Sequence, residues 1–142
     1  MSNDASEAWT LLFRLFVSQR GRVPQVAAEF DLSPMQAHVL RLLEPDEPLP
    51  MRTLAGKLCC DASNVTGIAD RLEMRGLIER RSADGDRRVR ALALTPAGVA
   101  LRDRALEIMN EPPASIAALS EKDQRALRDI LRRAVALLRS DA

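Results

Sequence analysis

Between residues 52 and 90 the chain carries side chains suited to hydrogen bonding and charge neutralisation rather than to breaking bonds. If the segment around residue 67 is helical, Ser63, Asn64, Thr66 and Gly67 stand opposite Val65, Ile68 and Leu72. Short donor and acceptor groups on one helix face can reach base edges and phosphates in a DNA major groove. Gly67 removes bulk where such a helix would approach DNA, and Asp70 shares that face. Arg71 and Arg75 lie one turn apart on the flank, placed for phosphates or for a structural ion pair. Further along, Arg87, Arg88 and Arg90 follow an Asp-Gly pair. A hairpin there can carry an arginine into the narrow minor groove, where negative potential is strongest. Arg52, Thr53 and Lys57 are weaker phosphate candidates. The alternatives are a solvated polar helix face and a charged surface loop.

The same inventory argues against an enzyme. No Gly-rich phosphate loop, nucleophile motif or catalytic dyad is present. One histidine, His38, and two adjacent cysteines, Cys59 and Cys60, do not form a metal set of standard spacing, so neither a metal nor a cofactor is expected. Adjacent cysteines rarely pair with each other, and Cys59 or Cys60 reads as small core filler. The 142 residues, 46% apolar and 29% charged, have an ordinary globular composition. No apolar run approaches the length of a membrane span, and the first residues lack a basic signal-peptide region. The expectation is a cytoplasmic protein with no membrane partner. Net charge is only +1, but it is unevenly spread: −3 over residues 1–51, +3 over 52–90 and +1 over 91–142. The basic excess coincides with the candidate contact residues.

Helical periodicity supplies most of the scaffold. Trp9, Leu12, Phe13 and Phe16 recur at i, i+3, i+4 and i+7 in a helix over about 8–20, with Leu11 and Leu15 on a second face. Ser33-Pro34-Met35-Gln36 reads as an N-cap, a first-turn proline and a capping box, with Met35, Val39, Leu42 and Leu43 as the stripe. Pro45, Pro48 and Pro50 make an extended link. Two short helices follow, Met51 to Cys59 and then on to about Arg75, joined by a tight turn at Asp61-Ala62-Ser63 and closed by Gly76. Strands are expected over Leu77–Ser82 and Val89–Leu94, flanking the Asp84-Gly85 hairpin signal. Thr95-Pro96 starts another helix, which must break or kink at Pro112-Pro113. Ser120 to Asp123 opens the last, with Leu127, Ile130, Leu131, Ala134, Leu137 and Leu138 on one stripe. The fold class is mainly α with a small β-hairpin wing. The expected layout is a winged helix-turn-helix lobe over 33–96, with 1–32 and 97–142 forming a helical dimerisation region.

Several of these segments together resemble the MarR family of regulators. Met51-Arg-Thr-Leu-Ala-Gly-Lys-Leu58, the run Asp70 to Arg81, Asp86-Arg87-Arg88, and Leu94-Thr95-Pro96-Ala97-Gly98 stand at the family's spacing. The resemblance implies a transcription regulator that binds double-stranded DNA as a homodimer, most commonly a repressor. It implies that Asp86 buttresses Arg88, that Arg88 enters the minor groove and that Arg87 meets phosphate. It also implies a small aromatic or anionic effector held between the dimer helices and the DNA-binding lobe, with Trp9, Phe13, Phe16, His38 and Met109 as candidate lining residues. Each of these five also reads as ordinary core. The Pro112-Pro113 pair departs from the family pattern, where that helix is usually long.

Overall fold

A computed structural model describes residues 3–59, 62–83 and 85–138; Cys60, Asp61 and Asp84, and the side chains of Ala62, Ser63, Ala83 and Asp86, lie outside the described residues. The chain forms two compact units, residues 1–110 and 111–142.

The first unit opens with α1 (Asn3–Ser18), which has no buried residue. A helix not expected from the sequence follows, α2 (Arg22–Glu29). Pro24 discourages a helix reading there, yet it falls in the first turn, where the missing N–H would have had no intrahelical partner. α2 buries Val26 and Ala27 and packs against α3 (Pro34–Leu42) and α6 (Pro96–Asn110). α3 begins as the sequence indicates. The Gln36 N–H donates to Ser33 Oγ at 3.1 Å, and the Ser33 N–H donates to Gln36 Oε1 at 3.0 Å. This reciprocal box satisfies the amide of Gln36, which is itself buried. The buried stripe is Gln36, Val39 and Leu40, continued by Leu43; Met35 faces solvent, so the inward face is turned from the expected one.

After β1 (Leu49–Pro50) come α4 (Met51–Leu58) and α5 (Ala62–Met74), the two helices of the expected pair. Gly76 follows with φ +71, a left-handed conformation that suits glycine. β2 (Ile78–Ala83) and β3 (Asp86–Leu94) then form an antiparallel hairpin, and β1 adds to the far side of β3 in the order β1-β3-β2. The register gives Ile78 opposite Leu94 and Ser82 opposite Arg90, but then Ala83 opposite Asp86. Arg87, Arg88 and Val89 are therefore extra residues on β3, a bulge where the sequence suggests an open six-residue loop. Bulges bend and twist a strand and re-aim its side chains.

The core lies beneath α5. Leu40, Leu43, Leu54, Val65, Leu72, Ile78 and Leu92 are essentially inaccessible and form one cluster. Burying each large aliphatic side chain stabilises by roughly 1.5–3 kcal/mol. The face of α5 that carries Val65, Ala69 and Leu72 is thus committed inward, which fixes what the opposite face presents.

The helix break falls where the two prolines put it. α6 ends at Asn110, and a single turn, α7 (Ala114–Ala117), starts after Pro113. Ser120 then caps α8 (Glu121–Leu138), its Oγ accepting from the Asp123 N–H at 3.1 Å. α8 buries none of its residues, and Ile130, Leu131, Val135, Leu137 and Leu138 are exposed. Among the described residues no helix is long and apolar enough to cross a membrane.

Candidate nucleic-acid interface

α4 stops at Cys59, whose φ of +50 and ψ of +40 reverse the chain toward α5. Cys59 is exposed and so is not core filler; it is in no disulfide, and its thiol donates weakly to the Gly56 carbonyl at 3.8 Å. Cys60 lies outside the described residues.

Asn64, Thr66, Gly67, Asp70 and Arg71 are all exposed on α5. Ser63 lies on the same helix, its side chain outside the described residues. A β-carbon at Gly67 would meet nothing within 4 Å. The protein's own packing therefore does not require glycine there, and only a docked partner would feel the added bulk. Arg52, Thr53 and Lys57 are exposed on α4. Arg87, Arg88 and Arg90 are exposed on β3, the first two on the bulge. Asp86 opens β3, but a buttress from it to Arg88 lies outside the described residues.

Arg75 does something other than what its position on the flank suggests. Its guanidinium donates to the carbonyls of Asp31 at 2.6 Å and Phe30 at 2.9 Å. It satisfies the C-terminal end of α2, where Asp31 itself has φ +55. Among the described residues its partners are these two carbonyls at the end of α2, the helix missed in the sequence.

The residue missed in the sequence is Arg80. From β2 its Nη1 donates to Glu73 Oε1 at 2.7 Å, its Nη2 to Asp70 Oδ1 at 2.5 Å and, more weakly, to the Thr66 carbonyl at 3.5 Å. The Arg80 backbone N–H also donates to Glu73 Oε2 at 3.2 Å. The hydrogen bond to Asp70 raises the guanidinium further above its already high value; burial opposes it, and the charge of Glu73 adds to the rise. The signal was the i, i+3 acid pair Asp70 and Glu73, with an arginine just beyond Gly76. On the next strand position, Arg81 pairs with its neighbour Glu79.

Three of the five candidate effector residues come together. Phe16, His38 and Met109 line one groove of about 380 Å³ with Val23, Met35 and Arg41. Trp9 and Phe13 do not line it; they are exposed on α1, ring centroids 6.5 Å apart. Arg41 Nη2 lies 2.9 Å from His38 Nδ1 and donates to it. Burial, and then the Arg41 charge, lower the His38 pKa below its ordinary 6.5. Beside the groove, Arg22 Nη2 donates to the Ile108 carbonyl at 2.6 Å, near the end of α6. Among the described residues no group of His, Cys, Asp and Glu could hold a metal ion.

The sequence profile of the MarR family matches residues 32–89. The chain is 32% identical over 95 residues to an uncharacterised helix-turn-helix transcriptional regulator, YfiV, of Bacillus subtilis; the match spans 67% of this chain and 59% of that relative. It is 28% identical over 123 residues to the organic hydroperoxide resistance transcriptional regulator of the same organism, spanning 84% of this chain and 81% of the relative. In fold it is similar to a MarR family protein from Bacillus stearothermophilus, with a TM-score of 0.78 at 20% identity over 97% of this chain and 99% of the other.

Proposed function

The chain belongs to the MarR family of DNA-binding transcription regulators, and from that premise we propose that it is a homodimeric repressor released from its operator by a small effector. The observation that carries the reading is the pairing of two exposed elements on one lobe. α5 offers Asn64, Thr66, Gly67 and Arg71, and the bulge of β3 offers Arg87 and Arg88. In this reading α5 enters the major groove with Ser63, Asn64 and Thr66 toward base edges, and Arg88 follows the minor groove. Arg52, Thr53, Arg71 and Arg87 meet phosphates. Asp86 steadies Arg88.

The dimer would be built from residues 1–32 and 97–142. Support comes from the apolar surface that each helix leaves uncovered: Phe16 on α1 is 72% exposed and Leu138 on α8 is 71% exposed. Isolated exposed leucines need no explanation, but stripes of this length mark an interface. A dimer also explains how one short helix gains specificity, since two half-sites are read at a spacing the protein sets.

The effector reading rests on the groove of Phe16, His38, Arg41 and Met109. Its walls are apolar and its cation is Arg41, which suits a small apolar molecule carrying a negative charge. Such a ligand shifts the operator equilibrium only if it binds the two protein states with different affinity.

Fluorescence anisotropy with duplex DNA from upstream of the protein's own gene, at two salt concentrations and with excess unrelated competitor, tests the central reading. Tight binding that survives the competitor and weakens with salt is the expected result. Light scattering of the free protein tests the dimer, and a mass near 15.7 kDa for the single chain would overturn it.

A further inference from the structure

We propose that Arg80 is a positioning residue for DNA recognition: it locks α5 to the wing so that the helix and the bulged strand engage the duplex together. This rests on the DNA-binding reading above. One side chain on β2 reaches three successive turns of α5, at Thr66, Asp70 and Glu73. The backbone of the same residue is fixed to Glu73 as well. Arg80 is mostly covered, with 17% of its side chain exposed. Its planar fork bonds one carboxylate with each terminal nitrogen, a geometry that a lysine ammonium does not reproduce.

The location gives the tie its consequence. Asp70 sits on the outward face of α5, one turn beyond Thr66 and Gly67. β2 is the strand that pairs with the bulged strand carrying Arg87 and Arg88. Between α5 and β2 the chain has only Arg75, Gly76 and Leu77. Two contact elements on one body bind as a linked pair, and the second contact gains from the first only if their spacing is held. Arg80 holds it. It also neutralises Asp70, whose charge would otherwise face phosphate.

A double-mutant cycle on the full chain tests this, with a duplex that the unmodified protein selects from a randomised pool as the probe. If the unmodified protein selects no sequence, the DNA reading itself fails, and the cycle is not reached. Otherwise Arg88→Ala, Arg80→Met and the double variant are compared. A linked pair predicts that Arg80→Met weakens binding by about tenfold or more, and that Arg88→Ala then costs less than about twofold in addition, although alone it costs about tenfold. Arg80→Lys should recover only part of the loss. Fold-losses that multiply, or a folded Arg80→Met that binds as the unmodified protein does, overturn the proposal. So does Arg88→Ala having no effect alone. Should Arg80→Met not unfold cooperatively, Glu73→Gln removes one arm of the fork and enters the same cycle under the same criteria.

Discussion

Gly98 approaches Leu77 so closely that a β-carbon at position 98 would lie 1.9 Å from the Leu77 carbonyl oxygen and 2.9 Å from its carbon. The contact is between backbone atoms, so no side-chain rotation can relieve it. Around it, the Thr95 N–H donates to that same Leu77 carbonyl at 3.1 Å. Thr95 Oγ1 accepts from the Gly98 N–H at 3.0 Å and donates to the Gly76 carbonyl at 2.6 Å. The start of α6 is thereby pinned to the root of the wing.

Gly98→Ala is accordingly expected to destabilise the fold by about 1–3 kcal/mol through overpacking. Urea unfolding should show a lower midpoint with an unchanged slope. A variant as stable as the parent would mean that α6 can move off Leu77 at little cost.

Arg75 and Arg71 should separate cleanly. Arg75→Ala removes two charge-assisted bonds to the carbonyls of Phe30 and Asp31. We expect a stability loss of about 1–2 kcal/mol with no change in the salt dependence of DNA binding. Arg71→Ala should do the reverse, leaving the unfolding midpoint alone and lowering the salt slope by about one. Equal slopes in both variants would remove Arg71 from the phosphate contacts.

Arg88→Ala is expected to weaken binding to a selected duplex by about 1–3 kcal/mol, with an unchanged unfolding midpoint. Anisotropy titrations read the first and thermal denaturation the second. Undiminished affinity in the folded variant would leave the wing without a groove contact.

His38 predicts an acid sensitivity. Its folded pKa lies below the ordinary 6.5, through burial first and the Arg41 charge second. The unfolded chain then binds the proton more readily. The stability His38 contributes is therefore complete above pH 6.5 and is lost as pH falls through the lower folded value. Protonating Nδ1 also ends its role as acceptor for Arg41. His38→Gln should be less destabilised than the parent between about pH 7 and about pH 5, measured as the shift in urea midpoint. Identical shifts in the two proteins would show that carboxylates elsewhere carry the whole effect.

The helix pair and the hairpin after it were legible because their signals are local. A capping box is written in Ser33 and Gln36, a helix end in Gly76, a hairpin in Asp84-Gly85, and a helical face in Val65, Ala69 and Leu72. Each depends on residues within about one turn of one another, so periodicity and capping rules decide it. The polar face of α5 follows as the complement of the buried one. α2 was not legible, because Pro24 counts as a breaker until the position of the helix start is known.

Only the tertiary structure decided the rest, since it depends on pairs distant in sequence. Arg75 is a cap because α2 ends beside α5, 44 residues away along the chain. Gly98 is required because a carbonyl of residue 77 approaches it, which no spacing along the chain discloses. Phe16, His38 and Met109 share a groove while Trp9 and Phe13, on the same helix as Phe16, do not, because that groove is made by side chains from several elements. Arg80 reads as one more wing arginine until the strand is laid against α5 and its fork meets Asp70 and Glu73. The sequence determined which faces exist; packing determined that charges such as those of Arg75 and Arg80 are committed within the protein.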